Sequence, residues 1–265
     1  MTPNPKPDRD FPWWLVILLI TGIVLFAQVL ANPTYATALN TLARGISITI
    51  IVAVVAYAGA CLIGLGLAVM GLSRFIVLRQ TARLYIEVMR GVPIIVLLLY
   101  VAFVLAPMLV LAVNAVIEPL GVAPWRTRDF PLIARAVVAL MLAYSAFLAE
   151  IFRAGLQAVD KGQIEAAQAL GLSGWQRFRH ITFPQAFRMI LPPLGNDFVA
   201  MVKDSSLVSV LGVSDVTQLA KVTAAGNFRY FETYNVAALI YLTMTIGLSL
   251  ILRRIETRLR SRSER

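Results

Sequence analysis

The sequence predicts an all-α, polytopic membrane protein with six transmembrane helices. Of its 265 residues, 59% are hydrophobic and only 14% are charged, and the mean hydropathy is +0.78. A soluble domain of this size does not need so much apolar surface. The charge-poor stretches reach the roughly 20 residues that a helix needs to cross a bilayer. Because no stretch alternates as a barrel strand does, helices must satisfy the backbone in lipid.

Five spans are clear from their apolar runs, and a sixth is apolar but also carries charged residues. They are predicted at residues 13–31, 46–70, 92–117, 132–151, about 189–213, and 236–252. The first span has a second interpretation, because Val29, Leu30 and Ala31 resemble a signal-peptidase site. Its apolar run is longer than a usual signal sequence, and Asp8 and Asp10 dilute the basic flank. We therefore predict a retained helix.

The flanking charges predict the orientation of the chain. With a cytoplasmic N-terminus, 17 of the 24 Lys and Arg residues lie inside and five outside, while Arg135 and Lys203 lie within spans. The positive-inside rule favours this arrangement over its reverse. It gives a cytoplasmic N-terminus (1–12), a cytoplasmic loop (154–188) and a basic cytoplasmic tail (253–265). The net charge of +10 is thus a topology signal, and no nucleic-acid partner is expected. Arg135 lies near the outer end of its span, where it is expected to snorkel.

Motifs for catalysis and for metal binding are missing from the chain. There is no phosphate-binding loop, GxSxG, HExxH or CxxC motif. Cys61 lies alone in a span, and His180 has no ligand neighbours at metal-binding spacing. Gly64 and Gly66, with Gly59 nearby, indicate close helix packing rather than a nucleotide site. We therefore expect no enzyme activity, no cofactor and no metal.

The loop between the fourth and fifth spans contains a short polar helix. Asp160 followed by Gln163 resembles a capping box, and Gly171 stands where a helix C′ residue is expected. The helix between them is predicted to run from Gln163 to Leu170. Its alanines, Ala166 and Ala167 among them, keep it thin enough for another surface to approach its backbone closely.

After the glycine, the loop carries two aromatic residues and two arginines. Trp175 and Phe178 are predicted to be amphipathic anchors, with Arg177 and Arg179 facing water or lipid headgroups. On this ground alone, the loop could be an interfacial helix that rests on the membrane. Pro184 is predicted to restart the chain toward the next span.

The spacing of this loop resembles that of the EAA loop of ABC-importer permeases. That pattern is Glu-Ala-Ala, three residues, Gly, nine residues, Ile, one residue and Leu-Pro. Here Glu165, Ala166 and Ala167 are followed at the same spacing by Gly171, Ile181, Phe183 and Pro184, with Phe183 replacing Leu. In that family the loop docks a short helix into a cleft of a cytoplasmic ATPase. The resemblance implies that the coupling residues are Gln163, Glu165, Ala166, Ala167, Leu170 and Gly171.

Three further segments are similar to the polar amino acid branch of these permeases. They are residues 85–93, residues 143–153 with Tyr144 and Ser145 in a different order, and Asn196 with residues 203–207. The family's type I core of five helices corresponds to residues 46–252, so the first span is an additional N-terminal helix. The resemblance implies a multi-pass protein of the bacterial inner membrane with both termini in the cytoplasm.

The partners that the resemblance implies are a cytoplasmic ABC ATPase dimer, a second permease chain that is the same or homologous, and a substrate-binding protein. That binding protein would be periplasmic or lipid-anchored. ATP hydrolysis would reside in the separate subunit, and this chain would form the path for amino acids and transmit the ATPase motion by alternating access.

The fifth span carries its polar residues on one side. At about 100° per residue, Asn196, Asp197, Lys203 and Asp204 share an arc of about 120°. Such groups face protein or a water-filled path rather than lipid. Two interpretations stay open: a structural Lys–Asp pair, or a path wall where an Asp meets a substrate ammonium group and Lys203 a carboxylate. The candidate path residues are Asn196, Asp197, Lys203, Asp204, Ser205, Tyr144, Glu150 and Glu87.

Glu87 and Glu150 have a simpler interpretation as well. Each is followed three residues later by an arginine, Arg90 or Arg153, with which it would form a surface ion pair. The alternative function for the whole chain is an ion-coupled secondary transporter or channel that needs no ATPase. That class usually shows paired inverted halves with broken helices, and the sequence contains no such repeat.

Overall fold

The computed structural model describes residues 13–261, and every regular element in that range is helical. Twelve α-helices follow in chain order: α1 (Trp13–Ala31), α2 (Pro33–Ala43), α3 (Ile46–Gly71), α4 (Ile76–Gly91), α5 (Ile94–Tyr100), α6 (Ala106–Ile117), α7 (Leu132–Gln157), α8 (Lys161–Ala169), α9 (Gly174–Arg177), α10 (Phe183–Asp204), α11 (Val216–Asn227) and α12 (Tyr230–Ser261). Two π-helical segments, Val101–Leu105 and Phe178–Thr182, join α5 to α6 and α9 to α10. Short 3₁₀ segments occupy Glu118–Leu120, Thr127–Asp129 and Ser205–Leu211.

Four helical stretches are long and apolar enough to cross a membrane: Pro33–Gly71, Ile94–Leu120, Leu132–Gln157 and Tyr230–Arg258. A shorter apolar stretch, Ile20–Ala31, lies in α1. The all-α membrane architecture is thus confirmed. The predicted polar span corresponds to α10 and the 3₁₀ segment after it. A total of six crossings stays a prediction.

The centre of the fold is the pair α3 and α7, which make the most extensive contact in the described chain. Glycines let the two backbones approach closely. A Cβ atom added at Gly64 would lie 2.9 Å from the carbonyl oxygen of Ser145, and one at Gly59 would clash with Cε of Met141. The predicted small-residue packing is confirmed at these two positions. It is wrong for Gly66, where an added Cβ atom would meet no described atom within 4 Å.

The helix from α9 through α10 runs without a break, so Pro184 does not restart the chain. The π-helical segment Phe178–Thr182 comes directly before it. Because Pro184 has no N–H and its ring would crowd the preceding turn, the wider π turn lets the helix continue through it. Two more prolines, Pro192 and Pro193, lie inside α10.

Arg135 is buried at the start of α7 and does not snorkel. Its guanidinium group donates to the carbonyl oxygens of Phe130 at 2.8 Å and Ala102 at 2.9 Å, and to that of Thr127. Ala102 belongs to the first π-helical segment. The prediction failed because the chain directly before α7 folds back to offer Thr127 and Phe130, and Ala102 comes from a distant segment that the sequence does not place beside α7.

At the same end of the bundle, α11 begins at a buried aspartate. Asp215 accepts from the backbone N–H of Gln218 at 2.8 Å and from the phenol of Tyr241 on α12 at 3.1 Å. Burial raises the pKa of the Asp215 carboxyl group above its usual range, and its hydrogen bonds oppose that shift. Asp215 therefore fixes the start of α11 against α12.

Candidate functional site

The short helix of the loop is α8, and both of its ends are capped. At its start, Oδ1 of Asp160 accepts from the backbone N–H of Gly162 at 2.6 Å. At its end, Gly171 has a positive φ of 77°. The N–H groups of Gly171 and Leu172 bond back to Gln168 at 3.0 Å and Ala167 at 3.1 Å. This is the Schellman arrangement, in which a left-handed glycine closes the helix.

The predicted capping box at the start of α8 is not formed. The side chain of Gln163 does not cap the backbone of α8. Its carbonyl oxygen accepts from the side-chain amide of Gln185 on α10 instead. A capping box does occur one helix later, where Ser173 and Gln176 exchange hydrogen bonds at the start of α9. Gln163 therefore ties α8 to α10 rather than closing the end of α8.

One face of α8 is packed against the rest of the protein. Its Ile164 contacts a cluster made by Val159, Ala186 and Ile190. Gly155 on α7 lets α10 approach closely under this cluster, since a Cβ atom there would clash with Cγ1 of Ile190. Ala167, a predicted coupling residue, is also buried. Its side chain therefore packs inside the protein, and its part in coupling stays a prediction.

The other face of α8 is exposed. It presents Glu165, Ala166 and Ala169, and Leu170 follows with 80% of its surface exposed. Two small residues, one charge and one large apolar side chain thus form a free surface. Because the opposite face is anchored, a partner that binds here would move α8 together with α7 and α10.

An aromatic row runs from α9 into α10, and only half of it was predicted. Trp175, Phe178, Phe183 and Phe187 have successive ring centroids 5.8, 5.9 and 5.8 Å apart. All four rings are exposed. Their spacing does not fit a regular α-helix, and the extra residue of the π-helical segment brings them into line. We did not predict that Phe183 and Phe187 continue the row, because we expected the chain to restart at Pro184.

The polar side of α10 meets tyrosines from two neighbouring helices. The phenol of Tyr144 on α7 donates to Oδ2 of Asp204 at 2.8 Å. The phenol of Tyr57 on α3 donates to the carbonyl oxygen of Leu194 at 2.6 Å, and its ring packs on Phe198. Tyr57 was not predicted as a site residue. The signal that could have found it is that Tyr57 is the single aromatic residue of the span at residues 46–70.

The other polar residues of α10 do not share one environment. Asn196 is exposed, and Asp197 is half-buried. Ser205 is buried, and its hydroxyl donates to the carbonyl oxygen of Val202 at 2.7 Å. Lys203 faces a separate pocket beside α11 and α12 and forms no ion pair with a described residue. The Lys–Asp pair considered from the sequence is therefore absent between residues 13 and 261.

The two predicted glutamates lie apart from the Tyr144–Asp204 hydrogen bond. Glu150 forms the ion pair with Arg153 that the sequence predicted. Glu87 is exposed on α4 and makes no ion pair with a described residue, because Arg90 lies over the ring of Phe147 at 5.8 Å. Within the described residues, no group of three His, Cys, Asp or Glu side chains is placed to hold a metal ion.

Comparison with known families and proteins gives consistent matches over most of the chain. Residues 60–263 match the family described as binding-protein-dependent transport system inner membrane component. The chain is 36% identical over 226 residues to the glutamine transport system permease protein GlnP of Escherichia coli (strain K12), covering 84% of this chain and 94% of that protein. It is 33% identical over 218 residues to the arginine transport system permease protein ArtQ of Bacillus subtilis (strain 168), covering 82% and 92%.

Solved structures show the same fold. An amino acid ABC transporter crystallised with histidines has a TM-score of 0.70 and 36% identity, over 83% of this chain and 94% of that chain. An inward-facing form of the MetNI methionine ABC transporter has a TM-score of 0.63 over 82% and 95%. At 19% identity, this second match concerns the fold alone.

Proposed function

The chain belongs to the family of binding-protein-dependent transport system inner membrane components, and from this premise we propose that it is the permease subunit of an ATP-driven importer of amino acids. Its relatives include permeases named for glutamine and for arginine. This chain forms the path and performs no bond chemistry itself. Hydrolysis of ATP takes place in a separate subunit.

The observation that carries this proposal is the geometry of α8. The helix is closed at both ends, anchored on one face by Ile164 and Ala167, and free on the other. An interfacial helix would need a broad apolar face for lipid, but the free face of α8 carries Glu165 and small alanines. It is therefore suited to dock against a protein cleft.

The partners follow from the same proposal. A cytoplasmic ABC ATPase dimer binds the free face of α8, and a second permease chain completes the path. A periplasmic or lipid-anchored binding protein delivers the amino acid. When the ATPase dimer closes, α8 moves with α7 and α10, and the path opens to the outside.

The wall of the path is proposed to include the polar side of α10. Asp197 and Asp204 provide negative charge, and the phenols of Tyr57 and Tyr144 fix the helix beside them. Asp204 keeps one carboxylate oxygen that does not accept from Tyr144. That oxygen is suited to meet the ammonium group of an amino acid.

The test is uptake by the reconstituted transporter. The permease is purified with its ATPase and binding protein, placed in liposomes, and screened with labelled amino acids with and without ATP. ATP-dependent uptake is expected, together with stimulation of ATP hydrolysis by the loaded binding protein. Uptake driven by an ion gradient without the ATPase would instead support the secondary transporter.

A further inference from the structure

A pocket of about 360 Å³ lies beside the end of α10, bordered by the last 3₁₀ segment, α11 and α12. Five polar side chains line it: Lys203, Ser206, Thr217, Tyr234 and Tyr241. The other three lining residues are alanines, whose short side chains leave the space open. The pocket thus combines one ammonium group with four hydroxyl groups, and none of its lining residues is acidic.

The ammonium group of Lys203 has no counter-ion between residues 13 and 261. Its neighbour Asp204 is turned toward α7, where it accepts from Tyr144. The carboxylate of Asp215 is engaged by the phenol of Tyr241 and caps α11. The side chain of Lys203 is exposed, so its ammonium group is accessible from the pocket, and a bound anion would supply the counter-ion that it lacks among the described residues.

Two of the four hydroxyl groups are also available to a ligand. The side chains of Ser206 and Tyr234 form no hydrogen bond with any described residue. Thr217 and Tyr241, in contrast, bond to each other at 2.9 Å. A carboxylate is held best by a positive charge together with hydrogen-bond donors, because it only accepts. Lys203, Ser206 and Tyr234 supply that combination.

We propose that this pocket binds the carboxylate group of the transported amino acid. The proposal rests on the proposed function and adds the residues that recognise one end of the substrate. Because every amino acid has this carboxylate, the pocket selects the class of substrate rather than one side chain. The two opposite charges at the end of α10 then have different tasks, since Lys203 and Asp204 face different helices.

The test compares each amino acid with a counterpart that lacks the carboxylate. Binding to the purified permease in nanodiscs is measured by calorimetry, without the binding protein, for L-glutamine against L-glutaminamide and for L-arginine against agmatine. The wild type is expected to bind the acids at least about tenfold more tightly, a difference of ~1.4 kcal/mol. Lys203→Met is expected to remove this preference by weakening only the acids. Lys221→Met is the matched control, because Lys221 is exposed on α11 and does not line the pocket.

A second variant covers the case in which Lys203→Met does not fold. Ser206→Ala combined with Tyr234→Phe keeps the charge but removes both free hydroxyls, and it should weaken binding of the two acids and leave binding of L-glutaminamide and agmatine unchanged. A wild type without any preference for acids, or a folded Lys203→Met variant that keeps the preference, would overturn the proposal. If Lys203 controls acid binding but the full transporter shows no ATP-driven uptake, the carboxylate pocket is supported and the proposed importer function is contradicted.

Discussion

Several polar side chains in the bundle are bound to backbone carbonyl groups rather than to opposite charges. Arg135 donates to three of them, Tyr57 to that of Leu194, and Tyr85 to that of Leu142. A carbonyl acceptor satisfies a polar hydrogen without adding a second charge that would have to be desolvated. Such contacts fix the rotation of one helix against another, because the donor must point at one residue of its neighbour.

Replacing Arg135 tests whether hydrogen bonds to backbone carbonyl groups hold the helices in place. Replacing it with Met keeps a long side chain but removes every donor to Phe130, Thr127 and Ala102, so three carbonyl groups lose a charged partner. We expect a loss of about 2–3 kcal/mol in stability, measured as a lower midpoint of thermal unfolding of the purified protein. Arg128→Met is the control, since Arg128 is exposed in the same loop. Equal midpoints for the two variants would contradict the anchoring role.

At the scale of elements, the sequence predicted correctly those helix ends that depend on local hydropathy or on a local capping residue. The predicted starts at residues 13, 46 and 132 coincide with the starts of α1, α3 and α7. The C′ position of Gly171 was also predicted correctly, because a left-handed turn after a helix needs only a glycine there, whereas α8 itself begins two residues earlier and ends one residue earlier than predicted. The predicted capping box and the predicted restart of the chain at Pro184 were wrong. The capping box is not formed because Gln163 bonds to Gln185. The helix continues through Pro184 because a π-helical segment comes directly before α10.

Replacing Gly171, the glycine after α8, tests docking of the ATPase separately from folding and insertion of the permease. Gly171→Leu places a branched side chain at φ 77°, which costs about 1–3 kcal/mol and disturbs the free face. We expect transport and copurification of the ATPase to fall about tenfold or more, equivalent to ~1.4 kcal/mol, while the protein still inserts. Glu165→Lys should act in the same direction without backbone strain.

The matched control for Gly171→Leu is Gly121→Leu. Gly121 also has a positive φ, of 74°, is exposed and has open space around it, but it follows α6 and lies far along the chain from α8. It should suffer the same strain and keep normal ATPase binding. If both glycine variants and Glu165→Lys transport normally, a docking role for α8 is excluded.

The polar side of α10 predicts a labelling pattern. In a Cys61→Ala background, single cysteines at positions 196, 197, 203 and 204 should react with a small charged thiol reagent. Cysteines at 198 and 202 should stay protected, because Phe198 packs on Tyr57 and Val202 is buried. Substrate should change the rate at one or more of the reactive positions. Protection at all six positions would show that no water-filled space reaches this helix.

At the scale of the whole molecule, the family and the membrane architecture could be inferred from the sequence, but the arrangement of the polar residues could not. An arc on one helix groups Lys203 with Asp204, yet the direction of each side chain depends on which distant helix lies beside it. Tyr144 comes from α7, and Tyr234 and Tyr241 come from α12, so no local pattern links them to α10. The helical periodicity thus identified the polar residues of α10. It could not show that Asp204 faces α7 while Lys203 faces α11 and α12.

The orientation of the whole chain is predicted by its charges. Seventeen Lys and Arg residues lie in segments assigned to the cytoplasm and five in segments assigned to the outside, and that difference determines which loops cross during insertion. With six crossings, both termini are cytoplasmic. Reporter fusions within residues 6–10 and after residue 263 should therefore both show cytoplasmic activity, and a fusion in the loop at residues 121–126 should show external activity. An external C-terminus would contradict the six-span map and would place α8 on the side of the membrane without ATP. Loss of an N-terminal tag from a protein with an intact C-terminus would instead show that the first span is cleaved.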